Sequence, residues 1–242
     1  MTADDFNALR NQVERLSAQL GVLQDANAIR KLQFAYGYYL DKCLYEEVVD
    51  LFADSGAVHF MGGVFKGKAG LRRLYIDRFR KNFTGGHNGP MYGFLLDHLQ
   101  LQDIVDVAPD RRTALGRFRY LMQAGVHDSN TKAPVTLPKQ WWEGGIYENR
   151  YVREDGVWKI QDLNCHCLYH GVYDKGWAHT PPNFVPSFSR TFPEDPVGPD
   201  ALEKPTPLLW PETAVVPYHY AHPVTGKQWM GEVRGAGSPG AK

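Results

Sequence analysis

The stretch Ile29-Arg30-Lys31-Leu32-Gln33-Phe34-Ala35-Tyr36-Gly37-Tyr38-Tyr39-Leu40-Asp41-Lys42-Cys43 decides how this chain is read. Ile29, Leu32, Tyr36, Leu40 and Cys43 recur at helical spacing, so the segment is a helix with one face meant for burial. Asp41 ends it, and Tyr36, Tyr38 and Tyr39 bring phenols to the end that would face a core. The run from Glu46 to Phe60 then reads as a short amphipathic helix, a turn at Gly56 and a strand. A carboxylate and phenols at the end of a core helix suit the wall of a pocket.

A glycine-bounded helix over 68–83 precedes long strands near 94–105, 113–126, 140–152 and 157–168. In this order the elements resemble the SnoaL-like family of the nuclear transport factor 2-like superfamily, over roughly residues 22–170. The resemblance implies an α+β fold, a cone in which a curved antiparallel sheet wraps round helices and encloses a deep pocket. The superfamily includes scytalone dehydratase, ketosteroid isomerase, limonene epoxide hydrolase and bile acid dehydratase, so the fold alone does not choose a chemistry.

The composition is that of one globular domain with extensions: 242 residues, 43% hydrophobic. Lys plus Arg and Asp plus Glu number 27 each, which leaves no field to draw nucleic acid or an anionic membrane. A small, largely uncharged ligand fits better. An acidic start without an apolar segment, and no run of 18 apolar residues, predict a cytoplasmic protein. Cys43, Cys165 and Cys167 cannot all pair and form no disulfide framework.

The ends carry their own patterns. Phe6, Leu9, Val13, Leu16, Leu20 and Leu23 alternate spacings of three and four, so residues 1–21 are read as a helix lying against its own cone or a neighbouring subunit. Residues 171–242 are rich in proline yet too aromatic for a disordered tail, with Tyr173, Trp177, Phe184, Phe188, Phe192 and Trp210; they predict an irregular arm packed over the cone or a partner. Both offer apolar surface that a monomer would expose, and with the resemblance they predict a homo-oligomer, a trimer before a dimer.

Two motifs fail on inspection. Gly62-Gly63-Val64-Phe65-Lys66-Gly67-Lys68 fits a phosphate loop, but Ala69 stands where a hydroxyl must hold magnesium. Cys165-His166-Cys167 with His170 suggests a metal cluster until strand alternation is applied. Both cysteines then share a pocket face, while His166 and His170 point toward an interface. The reading calls for no metal and no cofactor.

What remains is a constellation of proton donors and acceptors. By the resemblance, His98 sits where dehydratases of the superfamily carry a pocket histidine, Asp41 matches the aspartate after the first helix of scytalone dehydratase, and Tyr36 matches the oxyanion phenol of ketosteroid isomerase. That isomerase's strand aspartate is replaced here by Phe60, which disfavours steroid-type isomerisation. His98 moving protons with Asp41 orienting it is chemically sensible. The residues themselves also allow Asp41 to cap the helix starting near Leu44, His98 to be a satisfied core histidine, and Tyr36 merely to pack.

Alternation supplies the walls. Glu143, Gly145, Tyr147 and Asn149 share one face of their strand; Gly116, Phe118 and Tyr120 share another, with Arg117 and Arg119 turned to solvent or a subunit contact. Phe60, Phe118, Tyr120, Tyr147, Leu40 and Cys165 are the expected substrate-binding residues, an apolar slot with phenol donors suited to an aromatic ligand. Such a slot fits elimination chemistry. Overall length and the aromatic arm are similar to the lignin-derived diarylpropane γ-formaldehyde lyases, which implies loss of water and formaldehyde from a 1,2-diaryl-1,3-propanediol. Another dehydratase, a hydrolase or isomerase, or a noncatalytic small-molecule binder are the competing readings.

Overall fold

Thr2 opens the chain's long helix with a reciprocal cap: its hydroxyl accepts from the Asp5 amide, and the Asp5 carboxylate accepts from the Thr2 amide. In the computed structural model, which describes residues 2–131, 138–182, 184–204, 209–231 and 235, this helix, α1 (Ala3–Asp41), runs unbroken for 39 residues. The expected division near residue 21 is therefore a change of burial within one helix. Residues 2–20 are all exposed, and burial begins at Gly21. The apolar seam does not lie against its own cone: Leu16 is 56% exposed and Leu23 67%.

Beyond Gly21, one face of α1 enters the core through Ile29, Gln33, Tyr36 and Leu40. Of the three phenols, Tyr36 is buried and Tyr38 is 74% exposed, because successive helical positions are about 100° apart. Cys43, at φ +54°, turns the chain left-handed after Asp41 and leads into α2 (Tyr45–Asp50).

A seven-stranded sheet holds β1 (Phe52–Phe60), β2 (Gly63–Lys66), β3 (Phe94–Val107), β4 (Thr113–Val126), β5 (Gln140–Glu154), β6 (Val157–Val172) and β7 (Ala201–Leu202). Their order is β3-β4-β5-β6-β1-β2-β7. It is a curved, unclosed α+β arrangement, antiparallel except where β1 lies parallel to β6. Its concave face closes on α1, α2 and a helical segment made of α3 (Gly67–Arg72), a π-helical stretch (Arg73–Arg80) and α4 (Lys81–Thr84). The glycine motif over 62–68 forms a turn, strand β2 and the start of α3, and Lys68 gives its ammonium protons to the carbonyls of Val49 and Phe52.

Two polar knots fix α1 to the sheet. Buried Asp25 accepts from Arg111 Nε at 2.5 Å and Trp158 Nε1 at 3.0 Å, with Arg153 at 3.3 Å. Gln33 accepts from Asn149 at 3.0 Å and the Tyr151 hydroxyl at 2.8 Å, and donates to Gln100 at 2.9 Å. These pairings satisfy groups that would otherwise be buried without partners.

After β6 comes α5 (Gly176–His179) and then the irregular arm, much of which packs on its own cone. Backbone bonds run from Phe188 to Met61, Asp200 to Val64 and Trp210 to Leu168. Pro205, Pro207 and residues 236–242 of the expected arm lie outside the described residues. Arg117, expected at solvent or a subunit contact, lies instead under the chain's own arm and donates to Glu148 and to the carbonyls of Val216 and Pro217. Strand parity set its face correctly, but a covering segment far along the chain changed what that face meets. No helix among the described residues is long and apolar enough to cross a membrane.

Candidate active site

The end of α1 lies over β3, and there Asp41 meets His98. Its Oδ1 accepts the His98 ring Nδ1–H at 2.8 Å and the His98 backbone N–H at 2.7 Å. Asp41 makes no capping bond to α2, whose Glu46 amide is met instead by Asn88 Oδ1 at 3.2 Å. Committing Nδ1 to the carboxylate leaves Nε2 as the free ring nitrogen, and His98 lines a cavity of about 670 Å³. Among its walls are Tyr36, Leu40, Phe60, Tyr147 and Cys165, with Arg78 and Lys81 as cationic members. Phe184, Val185, Pro186 and Phe188 add a wall from the chain's own arm.

Phe118 is not a cavity wall. It is fully buried behind the lining, edge-on at 6.2 Å to Phe34 of α1. Tyr120 also sits behind the surface, 4.7 Å from the Tyr147 ring between centroids, and its hydroxyl donates to Glu143 Oε1 at 2.7 Å. Gly145 makes room for it: a Cβ there would come within 2.7 Å of the Tyr120 hydroxyl and 2.3 Å of the His166 carbonyl. Tyr36 and Tyr75 share a hydroxyl contact of 3.1 Å. Burial drives the phenols of Tyr36, Tyr75, Tyr120 and Tyr147 well above their usual range, so they act as neutral donors. Burial likewise pushes the Cys165 thiol up and keeps it protonated.

Glu143 is a cavity wall that the sequence placed on the correct strand face without a role. His170, expected at an interface, instead points inward and hydrogen-bonds Glu143 Oε2 through Nε2 at 2.9 Å. The cause is a β-bulge. Gly144 pairs with Tyr169 and Gly145 with Cys167, so Leu168 is an extra residue that reverses the parity of everything after it. Burial pushes the Glu143 carboxyl up, but His170, Tyr120 and the nearby His98 together outweigh it and hold the group below the ordinary carboxylate value. Glu143, Cys167 and His170 present donor atoms within 4.8 Å of one another and are the described residues best placed to hold a metal ion. Here the carboxylate and imidazole bond each other.

The sequence profile of the SnoaL-like domain matches residues 21–164, starting where α1 becomes buried. The chain belongs to the SnoaL-like family. Sequence comparison with curated proteins gives no significant match. Among solved structures, this SnoaL-like chain resembles LinA at a TM-score of 0.50 and 19% identity, covering 63% of this chain and 92% of that one. A hexachlorocyclohexane dehydrochlorinase, LinA-type3 from Novosphingobium barchaimii, gives 0.45 at 19% identity over 66% and 92%. A scytalone dehydratase-like protein from Novosphingobium aromaticivorans gives 0.48 at 18% identity over 65% and 91%. At these identities the likeness is one of fold.

Proposed function

We propose that the protein is a cofactor-independent lyase that acts on a phenolic aromatic alcohol by acid/base elimination, converting a lignin-derived 1,2-diaryl-1,3-propanediol to a stilbene, water and formaldehyde. The observation that carries this reading is the Asp41–His98 pair, partly buried and opening on an apolar, aromatic cavity of about 670 Å³. That volume suits a drug-sized ligand. The aromatic walls suit two rings, and the neutral phenols of Tyr36 and Tyr147 suit substrate oxygens.

In the proposed reaction an ionised para-phenol pushes out the benzylic hydroxyl, which a pocket acid protonates, and a quinone methide forms. A base removes the proton of the terminal hydroxyl. The carbon–carbon bond then breaks, formaldehyde leaves, and the electron pair completes the stilbene and restores the phenolate. His98 moves protons and Asp41 orients it, with Arg78 and Lys81 available to offset the phenolate's charge. Elimination asks only for placed donors and acceptors.

Purified protein, with nothing added, should convert such a diol with a free para-phenol to a stilbene chromophore and one equivalent of formaldehyde. The para-methyl ether should not react. Substrate recovered unchanged would favour a noncatalytic binder, and stilbene without formaldehyde would exclude deformylation.

A further inference from the structure

Four side chains stand in a single row across the sheet: His98 on β3 opposite Met122, Met122 opposite Glu143 on β5, and Glu143 opposite His170 on β6. Residues directly opposite one another on neighbouring strands project from the same face, so the row faces the cavity side throughout. His98 and Glu143 are two strands apart, about 10 Å between Cα positions, and both line the cavity.

The row contains two carboxylate–imidazole pairs of opposite order. In one, the imidazole of His98 meets the cavity and Asp41 stands behind it. In the other, the Glu143 carboxylate meets the cavity and His170 stands behind it. Each Glu143 oxygen is held by one donor, Oε1 by Tyr120 and Oε2 by His170, and each keeps a further lone pair.

We propose that Glu143 is a second catalytic residue of this site, the base that accepts the terminal hydroxyl proton, with His170 as its positioning residue and His98 as the acid. The proposal rests on the lyase reading above. Loss of water and formaldehyde moves protons at two substrate oxygens, one gaining and one losing, whereas His98 has a single ring nitrogen free of Asp41. A second group spares it from serving both in turn.

The steps balance. His98 starts the cycle as the imidazolium, with Nδ1–H on Asp41, and gives its Nε2 proton to the benzylic oxygen; the carbon–oxygen bond breaks, and water leaves as the phenolate becomes a quinone methide. Glu143 takes the terminal hydroxyl proton, and that O–H electron pair becomes the second bond of formaldehyde. The pair of the broken carbon–carbon bond forms the stilbene double bond and returns the ring to phenolate. Afterwards the proton on Glu143 returns to His98 through water.

The test is turnover of the phenolic diol by wild type, Glu143→Gln, His98→Ala, His170→Gln and His170→Leu, with an added thiol that captures any quinone methide by conjugate addition. Glu143→Gln should lose formaldehyde release by roughly 10²–10⁴-fold while still losing water, so the thiol adduct accumulates. His98→Ala should give neither adduct nor formaldehyde. His170→Gln, which keeps an N–H donor, should retain more of the formaldehyde step than His170→Leu. This last comparison decides the matter should Glu143→Gln fail to fold, and equal rates for the two His170 variants would overturn the proposal. Wild-type conversion matched within threefold by Glu143→Gln would overturn the role of Glu143 alone. A fall in turnover without adduct would do the same, since a purely structural role slows both steps together. Absence of conversion by the wild type would remove the lyase reading and this one with it.

Discussion

Asp41 holds His98 twice, through the ring Nδ1 at 2.8 Å and through the backbone amide at 2.7 Å, with the same carboxylate oxygen. The pair thereby fixes both the strand's position under α1 and the ring's rotation. His98→Ala and Asp41→Asn should each lower turnover of the diol by roughly 10²–10⁴-fold. The fold should survive, because the asparagine carbonyl can still accept from the backbone amide. Steady-state rates with circular dichroism check this, and near-normal turnover in either variant removes that residue from the mechanism.

Chelation should leave the rate unchanged. Glu143 and His170 satisfy one another at 2.9 Å, and the proposed elimination routes no charge through a metal. Turnover is measured before and after exhaustive EDTA dialysis. A loss restored by added zinc would instead point to a metal held by Glu143, Cys167 and His170.

Asp25 should tie stability to pH. Burial raises its carboxyl, but the bonds from Arg111 and Trp158 and the charge of Arg153 prevail and lower it below the ordinary 3.8. A depressed folded-state value means the stabilisation is fully present above 3.8 and is lost as pH falls through the folded value. Asp25→Ala should cost roughly 2–3 kcal/mol near neutrality, discounted because the arginines are partly exposed. Urea unfolding of both proteins at pH 7 and at pH 3 should show the gap narrowing at the lower pH; an unchanged gap would remove the ion pair as its source.

The seam of Phe6, Leu9, Val13, Leu16, Leu20 and Leu23 is exposed along α1, which is costly unless another surface covers it. We expect a homo-oligomer, a trimer, with Leu16→Glu and Leu20→Glu together shifting it toward smaller species. Light scattering at micromolar concentration reads the mass, and a wild-type monomer there would refute the expectation.

Phe188 walls the cavity while its ring lies under the Arg78 guanidinium at 4.6 Å and edge-on to Phe65 at 5.4 Å. Phe188→Ala should raise KM for a diaryl substrate several-fold with a smaller change in kcat. This follows because the wall binds without touching the reacting atoms. A kcat loss equal to that of His98→Ala would contradict the assignment of Phe188 as a wall alone.

Residue order by itself determined the buried face of α1, the strand sequence from β3 to β6 and the inward parity of Tyr147, Glu143 and Cys165, because helix and strand periods are local and written in successive side chains. It also brought out Asp41 and His98 as chemical partners, though their contact joins residues far apart in the chain. Arg117 under the arm, Phe118 screened by α1 and Phe188 as a cavity wall emerge only once the chain is packed. Those outcomes depend on which distant segment packs on a given face, and no local period carries that information. His170 is the sharpest case. One extra residue at Leu168 turns its side chain from the outer face to Glu143, and a bulge is set by the pairing of two strands rather than by the residues of either one.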